Sequence, residues 1–417
     1  MSQIVVVGGG FAAVWSAAAA VRARVEAGLS ADEVAVTLVA PSADMVIRPR
    51  LYEENPASMT VRLDDVLAPV GVRRVQGSVA RIDPARRRLA LTGAGVSSEL
   101  GYDRLVLATG SRLVPPPAVP GAEQFHDVDT VLAADALERH LDRRADSHGL
   151  GRFTAVVVGS GFVGLEVATE LVHRLGRRAE AAGAPQEGRV VLVERADVVA
   201  PELGEGPRAV VLDALATTGV DLLLGTTVAA LEATGVILSD GTRIDAETVV
   251  WAGGMRAQGP IEDLAAERDR LGRLVVTDQM FVAGLPDVLA AGDVASVTVA
   301  PGQSSPQSCQ YAHQHGKHAG HNAVADLLGR PLLDFRGDPY VTCLDLGAAG
   351  AVYTERYQRE VRAVGDAAKD IKRMVNTELI YPPTKDADMI LTAADHLTKS
   401  RPVQPVTEPR REPGEHR

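Results

Sequence analysis

The stretch Ile4-Val5-Val6-Val7-Gly8-Gly9-Gly10-Phe11-Ala12-Ala13 decides the fold of this chain. Four branched apolar residues in a row predict a short strand that is buried on both faces, as strands of parallel sheets are. The glycines that follow predict a tight turn, and the alanine-rich run that continues to about Ala27 predicts a helix. A second apolar run, Val34 to Val39, completes a β-α-β unit.

The turn of this unit, Gly8-x-Gly10-x-x-Ala13, has the spacing of a dinucleotide-binding fingerprint. The first glycine permits the turn, the second lets backbone amides approach a pyrophosphate, and the small third residue lets helix and strand pack closely. An acid usually follows the second strand of such a unit and holds the ribose. Ala40 stands there instead, so we expect either Ser42 or Asp44, or other contacts, to replace that acid.

A second unit of the same kind follows in the middle of the chain. Its parts are the strand Ala155 to Val158, the turn Gly159-Ser160-Gly161, a helix from about Phe162 to Leu175, and the strand Val190 to Val193. Its turn has the full fingerprint spacing, with glycine at positions Gly159, Gly161 and Gly164. Two such units in one chain predict an α/β protein with two Rossmann-like dinucleotide-binding domains.

The residue after the last strand of the second unit bears on which nucleotide binds. Glu194 would accept hydrogen bonds from the adenosine ribose hydroxyls, and its charge would repel a 2′-phosphate. That pattern favours NADH. Arg195 is next in the chain and can hold such a phosphate, so NADPH stays open. The alternative for Glu194 is a solvated charge at a strand end.

Further apolar runs that end at glycine indicate how the domains are arranged. They are the strand Leu105 to Ala108 before Thr109-Gly110, the run Val249-Val250-Trp251-Ala252-Gly253-Gly254, and the strand Val288 to Ala291 before Gly292-Asp293. The stiff segment Val114-Pro115-Pro116-Pro117 continues neither a strand nor a helix, and it predicts a crossing between domains. We predict one dinucleotide-binding domain from residues 1–115 and 251–335, interrupted by a second from residues 116–250. Alternating apolar and basic residues from Gly71 to Leu91 predict exposed antiparallel strands.

The sequence pattern changes after residue 335. Apolar residues recur there at helical spacing between charged residues, and they are Tyr357, Val361, Val364, Ala368, Ile371 and Val375. We predict a helix here, in a C-terminal region of residues 336–396 that packs within or between subunits. The stripe holds one aromatic residue and small aliphatics, so insertion into a bilayer would gain little, and membrane contact is the alternative. Residues 397–417 are rich in Pro, Glu and Arg and are predicted to be disordered.

Composition disfavours several classes of function. The net charge of −11 argues against nucleic-acid binding. Cys309 and Cys343 form no C-x-x-C pair or metal cluster, so a reducing cytoplasm is the expected location. We expect no signal peptide and no membrane-spanning helix, while peripheral contact with the inner face of the plasma membrane stays open. The four histidines between positions 313 and 321 lack an accompanying acid or cysteine pair, so we predict no metal site.

Three short motifs, in order and together with both fingerprints, give the chain a family resemblance. They are Pro49-Arg50-Leu51-Tyr52, Ala108-Thr109-Gly110-Ser111 and Ala291-Gly292-Asp293-Val294. From about residue 3 to about residue 335, the chain resembles the pyridine nucleotide-disulfide oxidoreductase superfamily, and most of all its type II NADH dehydrogenases. The resemblance implies FAD at the first fingerprint, with Thr109 and Gly110 beside the flavin and Gly292 and Asp293 at its ribityl chain. It implies NADH at the second fingerprint.

A fourth motif, Cys309-Gln310-Tyr311-Ala312-His313-Gln314-His315-Gly316-Lys317, resembles a segment that lines the flavin and quinone pocket of type II enzymes. By that match Gln310 and Gln314 would be quinone-side residues, and a helix places them one turn apart on one face. The alternative is a polar helix surface. Glu166 matches a family glutamate near the nicotinamide, although the helix dipole explains an acid near a helix start equally well.

The implied function is that of an FAD-dependent oxidoreductase, which passes hydride from NADH to FAD and then electrons to a quinone or quinone-like acceptor. One alternative is a soluble tailoring enzyme, a monooxygenase or reductase that acts on an organic substrate. The weak C-terminal stripe and the missing ribose acid at Ala40 favour it. A non-catalytic flavoprotein is the third hypothesis, and the sequence leaves a homodimer open.

Overall fold

Two parallel sheets form the centre of the fold. The computed structural model describes residues 1–93 and 98–398. Its strands are β1 (Ser2–Val7), β2 (Val34–Ala40), β3 (Asp44–Val46), β4 (Thr60–Arg62), β5 (Arg73–Gln76), β6 (Ser78–Asp83), β7 (Arg88–Thr92), β8 (Ser98–Gly101), β9 (Arg104–Leu107), β10 (Ser111–Leu113), β11 (Thr154–Val158), β12 (Arg189–Val193), β13 (Val220–Leu223), β14 (Val228–Glu232), β15 (Gly235–Leu238), β16 (Arg243–Asp245), β17 (Thr248–Trp251), β18 (Met255–Ala257), β19 (Leu274–Val275), β20 (Val288–Ala290), β21 (Ala295–Ser296), β22 (Thr298–Ala300), β23 (Gln303–Ser304), β24 (Val341–Asp345), β25 (Ala351–Glu355) and β26 (Glu360–Val364). Its helices are α1 (Phe11–Glu26), α2 (Leu63–Leu67), α3 (Val131–Ala145), α4 (Phe162–Ala181), α5 (Glu205–Thr218), α6 (Cys309–Leu327), α7 (Gly365–Met374) and α8 (Ala387–Ala393).

The first parallel sheet has the strand order β20-β9-β1-β2-β5. Its register pairs Val7 with Val39 on one side and with Leu107 on the other, so three strands end at the same edge. Carboxyl ends of parallel strands are where ligands bind in α/β folds. The first glycine loop begins at this edge, because Gly8 directly follows β1. The prediction of an α/β fold built on a buried strand at Ile4–Val7 is confirmed.

The second parallel sheet has the strand order β13-β12-β11-β17. Val158 pairs with Val193 and with Trp251, so the second glycine loop also begins at a shared edge. Helix α4, which follows this loop, runs to Ala181 and is longer than the predicted end at Leu175. The sheet thus places Gly159, Glu194 and Ala252 side by side.

The chain crosses between the two sheets twice, and the two crossings are paired. β10 lies antiparallel to β18, with Ser111 opposite Ala257. The first crossing follows β9 and the second follows β17. The domain boundaries at residues 115 and 250 stay a prediction, because the crossing strands β10 and β18 pair with each other and are not part of either parallel sheet.

The region from Gly71 to Leu91 differs in part from the prediction of antiparallel strands. β6, β7 and β8 do form an antiparallel sheet. However, β5 lies parallel to β2 and extends the first sheet, with Val39 opposite Val75. Short runs of alternating residues are compatible with either direction, and only the tertiary pairing decides between them.

The C-terminal region also differs from the prediction. The predicted helix from Tyr357 to Val375 is wrong over residues 357–364, which form a turn and strand β26 in the sheet β24-β25-β26. Arg356 and Arg359 have φ of 63° and 54°, a left-handed conformation that no regular helix contains. The helix begins only at Gly365 and continues through a π turn to Leu379. Of the tail predicted to be disordered, residues 399–417 lie outside the described residues.

Helices α1 and α6 pack unusually close together. A Cβ atom at Gly316 would lie 2.6 Å from the Ala12 oxygen, and one at Gly320 would lie 2.1 Å from the Ser16 oxygen. Only glycine therefore permits this backbone approach. The contact holds α6, with Gln310 and Gln314, against the helix that follows the first glycine loop. In the described part of the chain, no helix is both long and apolar enough to span a bilayer.

Candidate active site

The first glycine loop is shaped for close backbone approach. Gly8 has φ of 135°, and a Cβ there would lie 2.2 Å from the Ala108 oxygen. Gly10 precedes the first residue of α1, and a Cβ there would meet no atom of the described residues within 4 Å. Ala13 is fully buried behind the loop. Space is therefore open beside Gly10, at a helix N-terminus whose first-turn N–H groups have no partner within the helix, and this fits a pyrophosphate.

The position of the expected ribose acid is apolar in the structure. Ala40 ends β2 and is fully buried. Ser42 is exposed, and its Oγ accepts a hydrogen bond of 3.0 Å from the Asp44 N–H. Its own O–H is free to donate to a ribose, because an accepting hydroxyl keeps its proton. Ser42 as the replacement for the acid stays a prediction.

A hydrogen-bonded chain leads from Asp293, in the motif Ala291-Gly292-Asp293-Val294, to the crossing between the sheets. Asp293 Oδ2 accepts a hydrogen bond of 2.6 Å from Ser111 Oγ, and Arg48 Nη1 donates to that same Oγ at 3.0 Å. Arg48 also forms an ion pair with Asp129. Gly292, with φ of 73°, brings Asp293 beside the first turn of α1. These contacts orient the carboxylate that the family resemblance assigns to the ribityl chain. Sequence reasoning did not identify Arg48 or the role of Ser111.

Thr109 and Gly110 lie at the first crossing. Thr109 Oγ1 donates to the Gln258 oxygen at 2.5 Å, and Gln258 Nε2 donates back to the Thr109 oxygen at 3.0 Å. A Cβ at Gly259 would lie 2.7 Å from Thr109 Oγ1, so the two crossings are in contact. Gly110 has φ of 74°, which permits the turn from β9 into β10.

The second glycine loop repeats the close approach of the first. Gly159 has φ of 105°, and a Cβ there would lie 2.6 Å from the Ala252 oxygen. A Cβ at Gly164 would lie 1.8 Å from the Gly159 oxygen, so the helix packs directly on the strand that precedes it. Gly161 is the N-terminal cap of α4. These three positions fit the roles that the fingerprint requires.

Glu194 is a buried carboxylate and not a solvated charge. Its Oε2 accepts hydrogen bonds of 2.8 Å from both the N–H and the Oγ of Ser160, and its Oε1 accepts from the Ala196 N–H at 2.9 Å. A carboxylate offers about four acceptor sites, so Oε1 can also receive a ribose hydroxyl. The neighbouring Arg195 is exposed. The choice between NADH and NADPH stays a prediction.

Glu166 is bound to a lysine that the sequence did not identify. Lys372 Nζ, on α7, lies 2.7 Å from Glu166 Oε1, and both side chains are buried. The Asp345 N–H also donates to Glu166 Oε1, at 3.2 Å. Burial raises the pKa of Glu166, and the charge of Lys372 opposes that shift. Glu166 is the fifth residue of α4, outside the first turn, so the helix dipole does not explain it.

Tyr52 extends this buried cluster toward the first sheet. Its hydroxyl donates to Asp345 Oδ2 at 3.1 Å, and Lys372 Nζ lies 5.5 Å from the centre of its ring. Burial and the nearby carboxylates raise the pKa of Tyr52 well above its ordinary value. Lys369 forms an ion pair with Asp345. The sequence contains only a weak signal for these two residues. Lys369 and Lys372 lie three positions apart in a chain that contains few lysines.

Both glutamines on α6 hold the segment that leads into β24. Gln310 Nε2 donates to the Pro339 oxygen at 3.0 Å, and its Oε1 accepts from the Val341 N–H at 3.3 Å. Gln314 Oε1 accepts from the Asp338 N–H at 2.9 Å. Gln314 is buried, so it is not part of a polar helix surface, and its Nε2 has no partner among the described residues.

Two histidines of α6, His313 and His315, are buried, and burial lowers the pKa of both. His315 Nδ1 accepts a hydrogen bond of 3.3 Å from the Gly292 N–H, and burial lowers its pKa to about 3. His313 packs against the rings of Phe11 and Trp15, and burial lowers its pKa to about 3 as well. Within residues 1–93 and 98–398, no three His, Cys, Asp or Glu side chains are arranged to hold a metal ion.

Comparison with known proteins accounts for this arrangement. A family model for the pyridine nucleotide-disulphide oxidoreductases matches residues 2–316. The chain belongs to this family. It is 43% identical over 402 residues to an NADH dehydrogenase-like protein of Mycobacterium tuberculosis, a match that covers 95% of this chain and 99% of the relative. It is 30% identical to the demethylphylloquinone reductase of Synechocystis, over 75% of each chain. The NDH2 of Plasmodium falciparum, solved in complex with NADH, has a similar fold, with a TM-score of 0.71, 12% identity and coverage of 94% of this chain and 97% of that one.

This oxidoreductase is therefore a flavoprotein that uses FAD with NADH or NADPH, as predicted. The two glycine loops fit these two nucleotides, because each precedes a helix N-terminus whose first-turn N–H groups have no partner within the helix. Cys309 and Cys343 are both free thiols. In this member of the family, the described structure thus contains no disulfide.

Proposed function

We propose that this oxidoreductase passes hydride from NADH or NADPH to FAD and then delivers electrons to a quinone or quinone-like acceptor. The observation that carries the proposal is the buried ion pair of Glu166 and Lys372, beside Tyr52. Reduction of a quinone consumes two protons with two electrons, and a buried acid and ammonium are suited to hold protons near a site without bulk water. Relatives named demethylphylloquinone reductase and type II NADH:quinone oxidoreductase support this acceptor class.

The nucleotide loops position the two cofactors. Gly159, Gly161 and Gly164 would receive the pyrophosphate of NAD(P)H, and Glu194 would accept from its adenosine ribose. Gly8, Gly10 and Ala13 would do the same for FAD, with Asp293 oriented toward its ribityl chain by Ser111. Once bound, the flavin supplies the redox chemistry, and the protein supplies position and electrostatics.

Gln314 is the better candidate of the two glutamines for contact with the acceptor. Both polar atoms of the Gln310 side chain are already bonded to the segment before β24. Gln314 keeps a buried Nε2 that has no partner in the part of the chain that the structure describes. A buried N–H group without a partner is costly, and a ligand carbonyl that accepts from it would remove that cost.

Anaerobic stopped-flow absorbance tests the proposal. The purified holoprotein is mixed first with NADH and then with a soluble quinone. We expect loss of the oxidised-flavin absorbance with NADH and its rapid return with quinone. Loss without return would contradict the quinone acceptor and favour a tailoring enzyme with another oxidant. A protein that never reacts with NADH would contradict the whole proposal.

A matched pair of variants tests the acceptor side. In Gln314→Ala we expect reoxidation by quinone to slow about tenfold, the effect of one lost hydrogen bond at a reacting group. Reduction by NADH should change less than twofold. The control is Gln303→Ala, because Gln303 is exposed on β23 and its side chain bonds only to the neighbouring Ser304 oxygen. Equal quinone rates in both variants would remove Gln314 from the acceptor site.

A further inference from the structure

The turn between β25 and β26 reaches from the C-terminal sheet to the second glycine loop. Arg359, in this turn, places its guanidinium carbon 5.1 Å from the centre of the Phe162 ring. Phe162 is the first residue of α4 and directly follows Gly161. The same guanidinium lies 5.4 Å from the ring of Tyr340, so the cation is held between two aromatic rings. Arg359, a residue of the C-terminal region, thereby lies beside the N-terminus of α4, the helix that follows the second fingerprint.

Contacts on the other side fix this turn. A Cβ at Gly206, the second residue of α5, would lie 2.7 Å from the Arg359 oxygen. Arg359 and Arg356 both have positive φ, of 54° and 63°. Such a conformation is rare for residues with a side chain and persists where the surroundings determine it. The turn is therefore seated against α5, and Arg359 is held in one place.

Arg359 differs from its neighbours on the hairpin because its charge is not matched. Arg356 and Arg362 form ion pairs with Glu360, and Arg362 also pairs with Glu355. Arg359 forms no ion pair within residues 1–93 and 98–398, and its buried Nη1 has no hydrogen-bond partner there. A buried guanidinium N–H without an acceptor is unfavourable unless a ligand supplies one.

We propose that Arg359 binds the pyrophosphate of NAD(P)H, so that the C-terminal hairpin completes the nucleotide site of the second fingerprint. The inference rests on the proposed placement of NAD(P)H at Gly159–Gly164. The amides of the first turn of α4 and a planar guanidinium would then share the phosphate oxygens. A carboxylate oxygen of Glu202 lies 3.8 Å from where a Gly161 Cβ would be, and this negative charge opposes an anion. Arg359 supplies the positive charge that offsets it.

Binding of ADP-ribose, which carries the pyrophosphate but cannot reduce flavin, tests the proposal. The measurement is titration calorimetry on the holoprotein of wild type, Arg359→Gln, Arg359→Lys and the control Arg362→Gln. We expect the dissociation constant to rise about tenfold in Arg359→Gln, because one charge-assisted hydrogen bond is lost. It should rise less in Arg359→Lys, which keeps the charge, and stay unchanged in Arg362→Gln.

Flavin reduction by NADH gives a second readout. We expect the NADH concentration for half-maximal rate to rise about tenfold in Arg359→Gln, with the rate at saturation changed less than twofold. Unchanged ADP-ribose binding in Arg359→Gln would overturn the proposal. Equal losses in Arg359→Gln and Arg362→Gln would also overturn it, because they would indicate damage to the hairpin. If the variants bind ADP-ribose as expected but quinone does not reoxidise the flavin, only the proposed acceptor is contradicted.

Discussion

Lys372 and Glu166 are 206 residues apart in the chain and form an ion pair of 2.7 Å, with each side chain 8% exposed. A buried charge that loses its partner costs several kcal/mol, so neither residue is replaceable alone without loss. The pair joins α7 of the C-terminal region to α4 of the second parallel sheet. The C-terminal region thereby contributes a charge to the buried cluster that we propose holds protons for the reaction.

Replacement of Lys372 should change the pH dependence of the reaction. Burial raises the pKa of Glu166, and Lys372 is the largest influence that lowers it. In Lys372→Met the largest downward influence on the pKa of Glu166 is lost and the smaller one, the hydrogen bond from the Asp345 N–H, remains, so Glu166 stays protonated to a higher pH. The limb of the pH profile of kcat/KM for quinone on which the rate falls as Glu166 loses its proton should therefore move to higher pH. The control is Lys369→Met, since Lys369 pairs with Asp345, and a limb that moves equally in both variants would contradict the assignment.

Ser111→Ala should weaken the retention of FAD. Ser111 Oγ donates to Asp293 Oδ2 at 2.6 Å and accepts from Arg48. Without this hydroxyl the carboxylate loses a fixed orientation, and the loss of one charge-assisted hydrogen bond corresponds to about tenfold in affinity. Fluorescence of released FAD during dilution gives the dissociation constant. Ser98→Ala, at an exposed position of β8, is the control, and equal FAD release from both variants would show that Ser111 has no such role.

Gly320→Ala should destabilise the protein by about 3 kcal/mol, the upper end of what overpacking costs. The added Cβ would lie 2.1 Å from the Ser16 oxygen, and α1 and α6 would have to move apart. Gly176→Ala is the opposite case. Gly176 lies within α4, and a Cβ there would meet no described atom within 4 Å. That variant should be more stable by about 0.5–1 kcal/mol, because alanine favours helix. Urea unfolding measures both, and changes of the same sign would refute the packing argument.

Two buried histidines should make the protein sensitive to acid. Burial lowers the pKa of His313 to about 3 from an ordinary value of 6.5. The unfolded chain therefore binds more protons than the folded one between these values, so stability is lost as pH falls from 6.5 toward 3. For one such histidine the loss from pH 7 to pH 5 is about 2 kcal/mol.

His313→Leu tests that effect. Leucine keeps the apolar contacts with Phe11 and Trp15 and has no titrating group. Urea midpoints at pH 7 and pH 5 should differ less in this variant than in wild type. His148→Leu, at an exposed position, should leave the difference unchanged. If His313→Leu is as acid-sensitive as wild type, the source lies elsewhere.

The sequence predicts best those parts of the fold that are determined by residues close together in the chain. The run Ile4–Val7 and the glycines after it specify a strand and a turn through branching and backbone freedom alone. The direction of β5 was not predictable in this way, because its parallel pairing depends on β2 and not on its own residues. The hairpin at residues 356–359 was missed because two arginines take a left-handed conformation that their side chains do not favour.

The same distinction applies to the candidate active site. The glycines of both fingerprints are identifiable because their spacing is fixed by the turn they make. Lys372 and Arg359 reach their positions only through the packing of the C-terminal region on α4, and neither stands in a motif. Asp293 was identifiable, but its link through Ser111 to Arg48 required the paired crossing strands.

The close packing of α1 against Gly316 and Gly320 has a consequence for how the protein is made in the cell. Translation produces the first fingerprint almost at once, but the helix that covers α1 emerges only after Cys309. Until then the proposed FAD site lacks the helix that packs on α1, and β20, the edge strand of its sheet, is made only shortly before. We therefore expect FAD to bind late, on the ribosome or after release, and a fragment that ends before Cys309 to lose the flavin.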